Sequence, residues 1–429
     1  MRTLTKCAVA AAALMTATPA LATQSRINSM SGGEKNITVR DEANIHAGLP
    51  QFLVDHGNEV DVDAASGGVY GRMNVRYALT DDAVLLLYGL RSPWAPVVTG
   101  STINGGPKST APAIAGVAPG QLSAVAPGQL SATDPTNHQF GVGFGTKVGD
   151  AMRLGARIDI GGARDDADGN NLNNNTLFGL NFGLGFDIGE TNSLDFGLKL
   201  RFGSFTDFES GADRWLSNAN IGFGLLAKGE FQVHPVAKMV PYLTLDYLGI
   251  EVGHAVRGGA EQGSLAEAKK GIVADFQLAL GADLAISPAD RVVIQPGLGL
   301  GFRSSNAEGT DQNGGAIVGV ENSNQITPYY GFAAEAQAFD WLALRVGARQ
   351  TIVMHNSANT LPAQQGVSAS NEFHKSSVVN SLTTGFGISV RGWQLDLNVN
   401  PLFFNNNFFA VSGVATSAYA FDFAMVYDW

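Results

Sequence analysis

The C-terminal stretch "AYAFDFAMVYDW" (residues 418–429) carries a large apolar residue at every second position. The six large residues are Tyr419, Phe421, Phe423, Met425, Tyr427 and Trp429. Because successive side chains of a strand point to opposite faces, these residues would share one face. A soluble protein would have to cover that face with a core, and a chain end is a poor place for one because termini fray. The pattern therefore predicts a strand whose apolar face is covered by lipid.

The N-terminus has the parts of a secretory signal peptide. Arg2 and Lys6 form a basic start, a short apolar run follows, and Ala20 and Ala22 give a small-residue cleavage site. The apolar run is shorter than the roughly 20 residues that cross a bilayer as a helix. We therefore assign residues 1–22 to a signal peptide of a bacterial exported protein.

Composition narrows the function classes. Cys7 is the only cysteine and lies in the signal, which excludes a disulfide scaffold and thiolate metal sites. Without Arg2 and Lys6, 25 basic residues remain against 38 acidic ones, a balance that disfavours nucleic acid as a partner. The chain has 53 glycines and only 15% charged residues, which fits one large β-barrel as well as several soluble domains.

The two-residue period recurs through most of the sequence. In "VYGRMNVRYAL" (residues 69–79), Met73 and Tyr77 oppose Arg72 and Arg76. In "LFGLNFGLGFDI" (residues 177–188), every second residue is Phe, Leu or Ile, and the residues between are Gly, Asn or Asp. Segments of about ten residues with this period are typical of strands that span an outer membrane.

Short and long connections alternate between these segments. The short ones are residues 80–82, 149–150, 189–192, 288–290, 340 and 391–392; the long ones are residues 92–136, 162–175, 204–217, 257–271, 304–324 and 355–376. This alternation is typical of an outer-membrane barrel, which has short periplasmic turns and long external loops. We predict an all-β, transmembrane, antiparallel up-and-down barrel of sixteen strands over residues 58–429, with fourteen strands as the alternative. Residues 23–57 precede it as a periplasmic or lumen-plugging segment.

The alternation also predicts which charges line the lumen. Placing Arg or Lys on the lipid face at mid-membrane costs about 2–4 kcal/mol, so these residues should point inward. Basic residues cluster on the early strands and near residue 345, and acidic ones dominate residues 240–284, which predicts a basic wall facing an acidic wall and a field that selects ions. The alternative is that the charges only pair and hydrate the lumen. The candidate lumen residues are Arg72, Arg76, Arg153, Arg157, Lys199, Arg201, Arg345, Arg349, Asp246, Asp275, Asp283 and Glu335.

Glycines recur on the inward faces, for example at Gly143, Gly145, Gly183 and Gly385. Glycine lets another backbone come close, so one hypothesis is that residues 23–57 fold into the lumen as a plug. The alternative is that small residues simply widen the pore.

We expect no enzymatic activity, cofactor or metal, because neither a G-x-S-x-G nor an H-E-x-x-H motif occurs and the seven histidines are scattered.

Two resemblances follow from these segments. The alternation that ends in Phe421, Phe423, Tyr427 and Trp429 resembles the terminal signal of bacterial outer-membrane proteins, which implies recognition by the barrel-assembly machinery and contact with outer-membrane lipid. The stretch "SMSGGEKNITVRDEANIHAGLP" (residues 29–50) resembles the N-terminal hatch of the FadL fatty-acid transporter group and its PorV-like relatives, through its glycine pair and its acidic stretch. The Asn-Pro-Ala of that group is replaced here by "HAGLP".

The sequence thus predicts a porin-like channel for passive passage of small solutes through a charged lumen. Two other functions stay open. One is a plugged barrel that acts as a scaffold or secretion partner, and the other is FadL-like transport of a hydrophobic ligand. A homo-oligomer is also left open.

Overall fold

The computed structural model describes residues 24–30, 38–39, 43–65, 71–93, 136–165, 173–208, 213–256, 269–310, 317–360, 370–399 and 421–429. The predicted signal peptide, residues 1–22, lies outside the described residues.

The described residues form sixteen antiparallel strands in one closed barrel. Each strand pairs with its neighbours in sequence, and the barrel closes where the first strand pairs with the last, with Glu59 opposite Asp428. The strands are β1 (Glu59–Ala65), β2 (Gly71–Thr80), β3 (Ala83–Pro93), β4 (Thr136–Val148), β5 (Met152–Asp165), β6 (Asn173–Ile188), β7 (Asn192–Phe208), β8 (Asp213–His234), β9 (Ala237–Val256), β10 (Lys269–Ala289), β11 (Val292–Thr310), β12 (Ile317–Phe339), β13 (Leu342–Thr360), β14 (Ser370–Val390), β15 (Trp393–Val399) and β16 (Phe421–Asp428). The prediction of an all-β barrel with sixteen strands is confirmed.

The outer face of the barrel is apolar, as the alternation predicts. Phe178, Phe182 and Phe186 of β6 are exposed, while Asn181 between them is buried. The apolar positions of β6 from residue 178 to residue 188 cover about 34 Å of strand, or about 24 Å along the barrel axis at a tilt near 45°. That height matches the apolar band of about 25 Å on membrane barrels, so the fold is a transmembrane one.

Seven tight turns join the strands at one end of the barrel, at residues 81–82, 149–151, 189–191, 235–236, 290–291, 340–341 and 391–392. We call this end the turn end and the opposite end the loop end. Arg391 and Gly392 both have positive φ, of 49° and 81°, as a two-residue hairpin turn requires. The sequence predicts six of these turns and misses the one at Pro235 and Val236, because β8 and β9 run into it without a glycine or a cluster of polar residues.

The strands are longer than the sequence predicts. β6 to β14 have 16 to 23 residues each, whereas about ten suffice to cross the membrane. The extra residues lie at the loop end, in stretches that the sequence assigns to loops because they are polar. β12, for example, begins at Ile317 rather than after residue 324. Backbone pairing continues past the membrane because water tolerates polar side chains on either face of a strand.

Aromatic side chains surround the turn end. Trp341, Trp393 and Trp429 are each about half exposed, at 48%, 48% and 51%. Trp341 stacks on Phe339, and Tyr427 stacks on Trp429. Aromatic rings of this kind sit at membrane–water interfaces, where they are half wet. The turn end therefore lies at one membrane surface.

Three short helical elements precede β1 among the described residues. They are α1 (Gln24–Met30), α2 (Ala43–Ala47) and a 3₁₀ helix (Pro50–Asp55). Within the described ranges, no helix has the length and the apolar character that are needed to cross a bilayer.

A charge on the outer face tests the membrane assignment. Leu298, the seventh residue of β11, is 67% exposed. We expect Leu298→Arg to lower the free energy of unfolding by about 2–4 kcal/mol, because the guanidinium enters hydrocarbon. The measurement is urea unfolding of the refolded protein in liposomes.

The matched control is Val390→Arg, at an exposed residue that ends β14 beside a turn. There the arginine reaches water, so the expected cost is about 0–1 kcal/mol. Equal costs at the two positions would contradict a lipid-covered outer face.

Candidate functional site: the lumen

The residues before β1 contact the inner face of the barrel wall. We call the described residues between 24 and 57 the inner segment. A Cβ atom at Gly155 of β5 would collide with the backbone of Pro50 and Gln51, and one at Gly197 of β7 would collide with the carbonyl oxygen of Gly48. The inner segment thus touches the wall backbone to backbone, at glycines that leave it room.

An apolar cluster joins the inner segment to the wall. The segment contributes Ile45, Leu49, Phe52 and Leu53, each at most 1% exposed. The wall contributes Val84, Leu86 and Tyr88 of β3, Leu226 of β8 and Tyr242 of β9. Burial of four large side chains at roughly 1.5–3 kcal/mol each is a substantial contribution to docking. The second half of the inner segment is therefore held mainly by apolar packing.

Polar contacts hold the inner segment at further points. Gln51 Nε2 donates to Asp195 Oδ1 at 3.1 Å, and Thr38 Oγ1 donates to Asp283. Gln295 Nε2 donates to Thr38 Oγ1 at 2.9 Å. At the far end, Arg26 of α1 forms an ion pair with Glu335, with 2.9 Å between Nε and Oε2. The first half of the inner segment is held by such polar contacts together with a second buried apolar cluster, formed by Ile27, Met30, Val39 and Ala333 of β12.

The predicted lumen residues lie on the inner face, and most of those described are paired. Arg72 pairs with Asp63, Arg76 with Glu59 and Asp61, Arg153 with Asp55, Asp187 and Asp195, Arg157 with Asp159, Lys199 with Asp246, Asp275 with Arg303, and Arg345 with Glu335 and Asp396. Arg201 lies near Asp246, and the guanidinium of Arg349 sits 3.6 Å from the ring centroid of Tyr329. Asp283 and Glu335 bind the inner segment instead of facing an open channel.

These pairs replace the predicted basic wall facing an acidic wall. Among the described residues, each pair joins charges on one strand or on strands close together in the barrel; Glu335 of β12 and Arg345 of β13, for example, are direct partners in the register. The physical reason is that an unpaired charge in a crowded lumen is costly to desolvate, so each charge takes the nearest opposite one. The pairing alternative from the sequence describes this arrangement better.

Sequence reasoning misses the apolar part of the inner face. β3 reads "AVLLLYGLRSP" and has large apolar residues on both faces: Leu87 points outward, and Val84 and Leu86 point inward. A strand of an open, water-filled barrel has no reason to be apolar on its inner face. That double-sided pattern was the signal that protein covers β3 from inside. The acidic residues of β1, Glu59, Asp61 and Asp63, were also missed as ion-pair partners of the predicted arginines.

The predicted assembly-signal residues are at the end of the last strand. Phe423 and Trp429 are exposed on the outer face, at 44% and 51%, and Tyr427 packs against Trp393 of β15 with 4.5 Å between ring centroids. Phe421 begins β16. Recognition of this strand by the assembly machinery remains a prediction.

His46 of α2 lies among positive groups. Its Nδ1 is 3.2 Å from Arg157 Nη1, and its ring meets Tyr88 edge-on at 4.9 Å between centroids. Burial and the nearby guanidiniums of Arg72, Arg157 and Arg76 hold the pKa of His46 well below 6.5, against a weaker opposing effect of Asn74. The docked histidine therefore stays neutral where a free one would take up a proton.

This arrangement predicts that acid weakens docking of the inner segment. A group whose pKa is lowered in the docked state binds fewer protons there, so docking loses stability as the pH falls below 6.5. Between about pH 7.5 and about pH 5.5 the undocked population should rise by up to about tenfold. Chymotrypsin cleavage at Phe52 and the neighbouring leucines of the refolded protein measures it.

The control is His46→Gln, which cannot titrate in this range. Cleavage of this variant should lose most of its pH dependence, and only the titration of carboxylates elsewhere should remain. An unchanged pH profile in this variant would assign the acid effect to another group.

Comparisons with known proteins add the following. No protein-family model matches the sequence, and no curated protein matches it. The fold is similar to that of the toluene transporter TodX of Pseudomonas putida, with 11% identity over 94% of this chain and 96% of that chain and a TM-score of 0.41. The toluene transporter TbuX of Ralstonia pickettii matches at 11% identity over 95% of this chain and 98% of that chain, with a TM-score of 0.41. The ferric yersiniabactin uptake receptor FyuA from Yersinia pestis matches at 10% identity over 86% of this chain and 79% of that chain, with a TM-score of 0.37.

Proposed function

We propose that this protein is a gated transporter of the bacterial outer membrane, closed in this structure by the inner segment. The observation that carries the proposal is the backbone contact of Pro50, Gln51 and Gly48 with glycines on the inner face of β5 and β7. Sixteen strands enclose an aqueous channel when the lumen is empty. Solutes therefore cross only after part of the inner segment moves.

The location rests on two features of the chain itself. The outer face is an apolar band with tryptophans at the turn end, and the N-terminal residues have the pattern of an export signal. A closed barrel of this kind is the form in which strands cross a membrane, since closure removes the unpaired edges. We assign the turn end to the periplasm and the loop end to the outside.

An open porin with a freely charged lumen fits the contacts less well. Arg345, Glu335 and Asp396 are bound to each other, and Asp283 is bound to Thr38. Groups that already have partners attract a passing ion weakly. In a gated transporter the same groups first hold the inner segment, and they face the solute after the inner segment has moved.

A hydrophobic ligand is the second candidate for the transported solute. The observation that favours it is the inward apolar patch of Val84, Leu86 and Tyr88, which would be uncovered if the second half of the segment left. A scaffold without transport is the third candidate, and it predicts that the segment never moves.

A reversible cross-link between segment and wall tests the gate. The Cβ atom of Leu53 lies 2.7 Å from the position of a Cβ at Gly145 on β4, so cysteines at both positions form a disulfide after a shift of about 1 Å. The only natural cysteine is Cys7, in the predicted signal. We expect the oxidised Leu53→Cys/Gly145→Cys protein to block solute entry in a liposome-swelling assay and reduction to restore it.

The single variants Leu53→Cys and Gly145→Cys, treated with the same oxidant, control for the substitutions. They should transport equally in both redox states. Equal transport by the oxidised and reduced double variant would show that this half of the segment does not gate, and absence of transport in every form would favour the scaffold.

A further inference from the structure

One row of charged and small residues crosses the inner face from β12 to β2. The register places Glu335 opposite Arg345 and Arg345 opposite Gly385, while Asp396 and Asp63 both lie opposite Ala424, from either side. Three carboxylates and two guanidiniums thus stand around a stretch of wall that has almost no side-chain bulk. In order, the row is Glu335, Arg345 and Gly385, then, two residues along β14, Gly387, which lies opposite Asp396, followed by Ala424, Asp63 and Arg72.

The small residues leave room for α1. A Cβ atom at Gly385 would lie 2.5 Å from the Cβ of Ser29. Next to it on β14, a Cβ at Gly387 would lie 2.6 Å from both Arg345 Nη2 and Asp396 Oδ1. Thr383 Oγ1 donates to the carbonyl oxygen of Ser29 at 3.0 Å. The wall here is a pocket with a flat floor and polar sides, which α1 fills, and beside it Ile27 and Met30 of α1 form a small apolar cluster with Val39 and Ala333.

Arg26 enters this pocket as a guanidinium held at two points. Its Nε donates to Glu335 Oε2 at 2.9 Å, and its Nη2 donates to Glu335 Oε1 at 3.0 Å. This parallel pair of bonds needs a planar group with two neighbouring N–H donors, a geometry that an ammonium cannot reproduce. The pocket therefore already contains a site shaped for a guanidinium.

The charges of the pocket require a cation at this point. Glu335 Oε2 and Asp396 Oδ1 both contact Arg345, at 2.6 Å and 2.5 Å. If Arg26 leaves, two carboxylates share one guanidinium in a poorly hydrated place, and such an imbalance is unfavourable. Arg345 keeps the two carboxylates in position, so the site survives the departure of Arg26.

We infer that the pocket under α1 binds a guanidinium-bearing solute and that Arg26 occupies it as an internal substitute. The inference rests on the proposed gate and names the solute class that opens it. α1 has only seven residues, and an isolated helix of that length is not stable in water, so its contacts with the pocket decide whether it stays. A solute that takes the place of Arg26 releases α1 and opens a path.

Agmatine binding to the purified full-length protein in detergent, followed by calorimetry, tests the site without using transport. In wild type the tethered Arg26 competes at an effective concentration in the millimolar range. Arg26→Ala empties the site and should bind agmatine at least about tenfold more tightly than wild type. Arg26→Ala/Glu335→Gln loses one partner of a buried charge pair and should bind about thirtyfold or more weakly than Arg26→Ala.

Two comparisons fix the solute class. Butylamine has the charge without the planar fork, and butylurea has the planar group without the charge; both should bind Arg26→Ala at least about tenfold more weakly than agmatine. Arg291→Ala, which removes an exposed arginine paired with Asp340 at a turn, should bind agmatine like wild type. Arg26→Lys keeps the charge and serves if the alanine variant does not fold; it should bind agmatine more tightly than wild type because it lacks the fork.

Two binding results would overturn the inference. Equal agmatine binding by wild type and Arg26→Ala would show that Arg26 does not occupy the site. Equal binding of agmatine, butylamine and Mg²⁺ would reduce the site to a patch of negative charge. If Arg26→Ala conducts in a planar bilayer but does not bind agmatine, the gate stands and the solute class fails; if it binds agmatine and no variant transports, the proposed transporter fails and the site stands.

Discussion

Replacing both Gly155 and Gly197 with leucine is expected to open the barrel. The new side chains need the space that Pro50, Gln51 and Gly48 occupy, and backbone atoms cannot yield as a flexible side chain can. We expect planar-bilayer recordings to change from rare, brief steps in wild type to large, long-lived steps, because an emptied lumen of sixteen strands is wide enough for water. The inner segment should also become sensitive to chymotrypsin at Phe52.

Gly89→Leu on β3 is the matched control for this double variant. It also replaces a strand glycine, but its nearest neighbour is the Phe140 ring on the outer face, at 3.9 Å. It should stay closed. All variants should keep the heat-dependent gel migration of a folded barrel, and a correctly folded double variant without conductance would falsify the idea that the inner segment closes the lumen.

Arg76→Met is expected to produce the largest loss of stability among substitutions on the inner face. Arg76 is fully buried, and its Nη2 lies 2.8 Å from Glu59 Oε2 and 2.9 Å from Asp61 Oδ2. Removing it leaves two buried carboxylates on β1, the strand that closes the barrel. Breaking such an arrangement costs about 3–5 kcal/mol. Urea unfolding in liposomes measures this loss.

A rescue experiment shows whether Arg76 stabilises the barrel through its charge or through its packing. The triple variant Arg76→Met/Glu59→Gln/Asp61→Asn has no stranded charge and should regain most of the lost stability. Arg291→Met, which breaks an exposed ion pair at a turn, should change stability by less than about 1 kcal/mol. If the triple variant is as unstable as the single one, the arginine acts through its bulk alone.

The wall of the barrel could be predicted from sequence because its two sides face different solvents. Met73 and Tyr77 face hydrocarbon, and Arg72 and Arg76 do not, so the side of each residue follows from its position in the alternation. Strand ends could not be predicted in the same way. Above the membrane both faces are wet, the pattern disappears, and strands such as β12 continue on backbone hydrogen bonds alone.

The lumen was predicted less well because its contacts are not local. Glycines at positions such as Gly183 and Gly385 indicated close approach, but the same residues fit a wider pore equally well. Gly385 meets Ser29 and Gly183 meets Gln51, pairs that are far apart in sequence. Likewise, Arg26 carries no sign in the sequence that it reaches Glu335. Only the apolar inner face of β3 gave a local indication of internal cover.

The short link between the 3₁₀ helix, which ends at Asp55, and β1, which begins at Glu59, has a consequence for biogenesis. The first strand waits for its last partner, β16, until the whole chain has been delivered, and an unpaired edge invites wrong pairing meanwhile. The 3₁₀ helix contacts β3 to β6, which are delivered early. The helix can therefore hold β1 close to these early strands while the rest of the chain is delivered, until β16 pairs with β1 and the barrel closes.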